Sequence, residues 1–205
     1  GKTRDGSAQY LLSGEKSALI SYNEKHLVSR VGIFLKYIQV GFTHIIPKGL
    51  DHILFVLGLI FFSQKMYALV FQISLFTLAH TITLGLNSLN IINLPIAIVE
   101  PLIALTIVYI AIENILKSEG SKYRSIIIFI FGLLHGLGFA SVLNTFGLPE
   151  NHFLLALTGF NVGVELGQIT IVLLVYFILK LLFNTQEKFR NYITIPGSII
   201  IGVFG

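Results

Sequence analysis

Six apolar runs dominate the chain, near residues 45–62, 67–87, 94–117, 124–143, 152–183 and from 192 to 205. A helix rises 1.5 Å per residue, so about 20 apolar residues cross the ~30 Å hydrocarbon core of a bilayer. The first five runs qualify as spans and the sixth reads as a span cut short. Lipid offers the backbone no hydrogen bonds, so runs of this kind must close their own as helices. The expected fold is therefore all-α: a polytopic transmembrane bundle of about six to seven helices. Composition agrees, because only 12% of the 205 residues are charged, about half the share usual in soluble domains. The 152–183 run exceeds one bilayer thickness and is expected to tilt, kink or protrude.

Ahead of the first span, Val31, Phe34, Leu35, Ile38, Phe42 and Ile45 recur at helical spacing beside Arg30 and Lys36. They predict a helix leading into the membrane, either interfacial or an extension of the first span. Residues 1–30 differ in character. Ser17-Ala18-Leu19-Ile20-Ser21-Tyr22 reads as a short strand between polar turns, so 1–30 is expected to be the tail of an extracytoplasmic region and 31–205 the membrane domain. Both ends read as points where a longer protein has been cut.

Charge sets the expected orientation. Lys65 lies in the 63–66 turn, Lys117, Lys122 and Arg124 around the 117–124 loop, and Lys180, Lys188 and Arg190 around the 180–191 loop. The 88–93 loop has no Lys or Arg and the 144–151 loop carries only Glu150. The positive-inside rule puts the basic loops in the cytoplasm and the N-terminal segment outside, although Lys16, Lys25 and Arg30 run against that bias. The formal charge of +4 is scattered over segment ends, which argues against a nucleic-acid partner. Cysteine is absent, which excludes thiolate sites, and with a single methionine this argues against a soft Cu(I) route.

Ionisable residues inside these runs are the second signal. An Asp or Lys at mid-bilayer costs at least ~2.5–3.5 kcal/mol, so each such group needs a partner, a cavity or a function. His44, Asp51 and His52 cluster at the mouth of the first span, where Pro47 and Gly49 predict a break in the helix. Irregular backbone at that depth needs protein or a water-filled cavity around it. The trio is thus a candidate cation site; the plainer alternative makes Asp51 a helix cap. His80 lies within the second span, above a small-residue stripe of Ser74, Thr77, Thr81 and Gly85 that is expected to pack on another helix. Glu100 precedes Pro101 in the third span, while Glu113 falls near a basic loop and reads as interfacial. His135 sits among Gly132, Gly136 and Gly138. On the fifth span, Gly159, Gly163 and Gly167 form one stripe, and Asn161, Glu165 and Gln168 lie opposite, placed to line a central cavity. His44, Asp51, His52, His80, His135, Glu100 and Glu165 are the candidate metal ligands.

These residues resemble the HupE/UreJ family of bacterial membrane proteins, the hydrogenase and urease accessory group. The resemblance covers roughly residues 31–183. It rests on Gly41…His44…Gly49-Leu50-Asp51-His52, Phe76-Thr77-Leu78-Ala79-His80-Thr81, Val99-Glu100-Pro101, Phe131-Gly132-Leu133-Leu134-His135-Gly136 and Phe160-Asn161-Val162-Gly163-Val164-Glu165. It is closest to the branch with an extracytoplasmic N-terminal region. Many members carry Pro directly after the first His, where this chain has Ile45 and places Pro47 later. The resemblance implies a multi-pass protein of the bacterial inner membrane acting as a nickel or cobalt permease.

Two functions compete on the residues themselves. A divalent-metal permease would use His and carboxylates as stations for Ni²⁺, Co²⁺ or Zn²⁺ along a hydrated path. An intramembrane zinc hydrolase, resembling the ceramidase-like group, would instead converge three His on one ion beside an opening for water. Separated stations favour transport and convergent nitrogens favour catalysis. The expected partners are the bilayer and the metal ion, with assembly into a homo-oligomer left open.

Overall fold

The computed structural model describes residues 30–63, 65–117, 123–145, 152–182 and 189–205, with the side chains of 140–145 outside that description. The strand expected at 17–22 lies outside the described residues. Every apolar run carries a helix: α1 (Arg30–Ile45), α2 (Leu50–Phe62), α3 (Met66–Ser88), α4 (Ile96–Leu116), α5 (Arg124–Thr145) and α6 (Phe153–Leu182). A π-helical turn, Arg190–Thr194, then runs into α7 (Ile195–Phe204). Among the described residues the fold is helical throughout, as the apolar runs require.

Three helices, α3, α4 and α6, are long and apolar enough to cross a bilayer. The helix predicted over 31–45 is α1, and it forms with α2 a fourth such unit, bent by 72° at the break between them. The bend follows from local chemistry. Pro47 has no N–H to continue α1, and the chain recloses through Gly49 N–H donating to Ile45 O at 3.1 Å and Leu50 N–H donating to Lys48 O at 3.1 Å. A Cβ on Gly49 would stand 2.5 Å from the His44 carbonyl oxygen, so only glycine permits this approach. Outward faces are greasy: Leu105, Leu116, Leu154 and Phe177 are all more than half exposed, as expected of a lipid-facing surface. The 30 residues of α6 make a helix about 45 Å long, more than a hydrocarbon core needs.

Glycines weld the bundle into pairs. The predicted Gly159–Gly163–Gly167 stripe of α6 meets Phe34, Ile38 and Ile45, so α1 and α6 run parallel and in backbone contact. On α5, Gly132 sits against the Phe76 carbonyl and Gly136 against the His80 carbonyl, which makes α3 and α5 a second parallel pair. Thr83 and Asn87 tie the same pair by donating to Leu133 O (2.7 Å) and Leu137 O (3.2 Å). The opposite face of α6 meets α3 through side chains: Ser74 donates to Glu165, Thr77 to Gln168, and Gly85 receives Leu157. The small-residue stripe of α3 therefore packs on α6.

Candidate metal centre

His44 ends α1 and His52 lies in the first turn of α2, so the break brings them together with ring centroids 4.9 Å apart. The tight α3–α5 pairing then presses two more imidazoles against them. His80 comes from the middle of α3 and His135 from the middle of α5, with centroids 5.7 and 5.1 Å from His52. Ligand nitrogens of His44, His52 and His80 all lie within 4.8 Å of one another, a group able to close on one ion. His135 stands at its edge.

These rings are buried without being satisfied. His52, His80 and His135 are at most 5% exposed. Yet Nε2 of His44, His52 and His80 and Nδ1 of His135 have no hydrogen-bond partner. Buried polar atoms are normally paired with protein, water or an ion, so four imidazole nitrogens without a protein partner in one place call for a partner from outside the chain. A divalent first-row ion is such a partner, because imidazole nitrogen suits Zn²⁺, Ni²⁺ and Co²⁺. The residues present therefore fit such an ion.

Two polar side chains hold the outer edges of the rings. His80 Nδ1 faces Asn161 Oδ1 at 3.1 Å, and His135 Nε2 faces Thr106 Oγ1 at 3.0 Å. Around them stands an aromatic shell. Phe139 covers His44 at 3.7 Å between centroids, Phe76 lies 5.7 Å from His52 and 5.0 Å from His135, and Phe160 stacks on Phe139. Phe76 and Phe160 are fully buried. This shell makes the surroundings of the rings largely apolar.

The carboxylates fall elsewhere. Asp51, next in sequence to His52, is exposed, and so is Glu100 on α4; the two are close enough to feel each other's charge. Glu165 is half-buried on the α3–α6 seam, where Ser74 Oγ donates to it at 2.5 Å. Among the described residues, none of the three joins the histidine group. Glu113, expected at the interface beside the basic loop, is buried and ion-paired with Arg124 of that loop, with Lys117 Nζ 3.7 Å away.

A family model described as HupE / UreJ protein matches residues 21–205. The chain belongs to the HupE/UreJ family. That match takes in the seven α-helices of the described residues and all four histidines of the centre, and with the apolar helices it makes this HupE/UreJ chain a membrane protein. No curated protein and no solved structure matches the chain. The four histidines of this HupE/UreJ member are candidates in the sequence itself, whereas Thr106 and the phenylalanines of the shell stand there only as motif positions with no role of their own. The signal for Thr106 was available: α4 and α5 flank a short loop, and an antiparallel hairpin sets residues roughly equidistant from its turn side by side.

Proposed function

We propose that this protein is a divalent transition-metal permease of the bacterial inner membrane, passing Ni²⁺ or Co²⁺ through the centre built by His44, His52, His80 and His135. The observation that carries this reading is the set of four orphaned imidazole nitrogens at the break between two half-helices. Discontinuous helices that meet at a substrate site are how transporters expose ligating groups at membrane depth. Membership of the HupE/UreJ family supports the same substrate class.

The donor set also fits a passing ion rather than a stored one. Four neutral rings leave the full charge of a divalent ion uncompensated in a low-dielectric interior, so binding is weaker than in a site with carboxylates. Conduction needs that weakness. Asp51 and Glu100, both exposed, would draw the cation toward the centre, and Glu165 would serve as a later station on the α3–α6 seam. With the basic loops in the cytoplasm, residues 1–30 and the start of α1 lie outside.

Convergence of three imidazoles within 4.8 Å also favours the zinc-hydrolase reading. Among the described residues the trio has no carboxylate in its group, so a hydrolase here would rely on the ion itself to lower the pKa of its water. Membership of the HupE/UreJ family favours transport. Purified protein in liposomes separates the two. The permease takes up Ni²⁺ or Co²⁺ in proportion to protein, and His52→Ala abolishes uptake while insertion persists. Uptake that survives alanine at each of the four histidines would refute the permease.

A further inference from the structure

We propose that Thr106 and Asn161 are positioning residues that fix opposite tautomers in His135 and His80, so that the former offers Nδ1 to the centre and the latter Nε2. The role in ligation rests on the reading of the four imidazoles as an ion site; the tautomers themselves follow from hydrogen-bond arithmetic. A neutral imidazole has one N–H and one lone pair, and only the lone pair can bind a metal. Which nitrogen keeps the proton is decided by what the other edge of the ring touches.

At His135 the partner is a hydroxyl with one proton to give. Thr106 Oγ1 lies 2.6 Å from Ile103 O and 3.0 Å from His135 Nε2. The carbonyl can only accept, so the Thr106 proton goes to Ile103. What Thr106 then presents to His135 is a lone pair, and Nε2 must carry the hydrogen. Nδ1 is left bare, and Nδ1 is the atom of His135 that is buried without a partner.

At His80 the partner is an amide whose direction is fixed from behind. Asn161 Nδ2 donates to Leu157 O at 2.8 Å, one turn back along α6. Turning the amide over would set its oxygen against that carbonyl, so Oδ1 faces His80 Nδ1 at 3.1 Å. Nδ1 therefore carries the hydrogen and Nε2 is bare; again this is the unpartnered atom. Two unrelated polar groups on two different helices each leave free the one nitrogen that has no other use. The helix that carries Asn161 is also the one welded to α1, so His80 is oriented by the same body that delivers His44.

The test begins without metal. The full chain with ¹⁵N-labelled histidine, in lipid and above the ordinary imidazole titration range, is read by solid-state NMR for the protonated nitrogen of each ring. His135 is expected as Nε2–H and His80 as Nδ1–H. Asn161→Leu and Thr106→Val, both close in shape to the originals, should each release the tautomer of their own histidine alone, and Thr106→Ser should restore that of His135. In Co²⁺ titrations followed by the d–d spectrum, Asn161→Leu and Thr106→Val should weaken binding about 10–100-fold, with Thr106→Ser retaining the parent affinity. His80 found as Nε2–H, His135 found as Nδ1–H, or variants that bind Co²⁺ like the parent would overturn the proposal. The assigned tautomers in a parent protein that binds no Co²⁺ would uphold the hydrogen-bond assignment and refute the ion site instead.

Discussion

Where α4 and α5 meet near their shared loop, Glu113 and Arg124 are 3% and 5% exposed, as hidden as His80 and His135 at 0% and 2%. The two places solve burial differently. Glu113 and Arg124 neutralise one another, Lys117 adds a second cation, and the Arg124 guanidinium lies over the Phe62 ring at 3.9 Å. The ionic node also leaves Arg124 Nε and Nη2 without a hydrogen-bond partner, but its charges are met, whereas the histidine centre has no carboxylate in its group and one unpartnered nitrogen on each of four rings. Charge met by charge is how a membrane protein anchors an end of its bundle. Neutral rings with unpartnered nitrogens fit the binding role proposed for the centre.

That contrast can be broken most forcefully at the ionic node. Glu113→Ala strands a buried guanidinium, and losing one partner of such a pair costs about 3–5 kcal/mol. Thermal unfolding in detergent should fall sharply, while metal bound per folded molecule stays at the parent level. Next in size is Gly136→Ala, which forces a methyl into the His80 carbonyl and the Thr83 hydroxyl. Overpacking of this kind costs about 1–3 kcal/mol. Because His80 and His135 sit on the two helices pushed apart, this variant should lose both stability and metal affinity, which denaturation and Co²⁺ titration would show together.

His52→Ala should do the reverse of Glu113→Ala. It removes a ring that has no hydrogen-bond partner at Nε2, so unfolding should shift less than in Glu113→Ala while metal binding is lost. The smallest effect is expected from Glu165→Gln. The amide oxygen still accepts from Ser74, and affinity at the centre should match the parent in an equilibrium titration, whatever happens to uptake. A large loss of affinity would bring Glu165 into the centre itself.

Much of this was readable in the chain. Apolar runs marked the helices because lipid leaves the backbone no other choice. Pro47 and Gly49 marked the break because one lacks a donor and the other tolerates the His44 carbonyl. The Gly159–Gly163–Gly167 stripe announced a close neighbour but could not say that it was α1. Single-helix patterns could not show that Asp51 turns outward while His52, one residue on, turns in, since both lie in the first turn beside an irregular loop. Hairpin spacing brings Thr106 level with His135 but gives it no role, for a related reason. A threonine inside an apolar helix usually bonds its own backbone, as Thr106 does to Ile103, and only the packed position of His135 gives it a second role.

The central claim is that ring nitrogens from both sides of the break close on one ion. X-ray absorption at the zinc edge, on protein loaded with one Zn²⁺ in lipid, tests it most directly. A first shell of three or four nitrogens at about 2.0–2.1 Å is expected, with imidazole scattering beyond it, reduced in His44→Ala and in His52→Ala alike. A shell of oxygens, or an imidazole shell unchanged when both His44 and His52 are replaced, would contradict it.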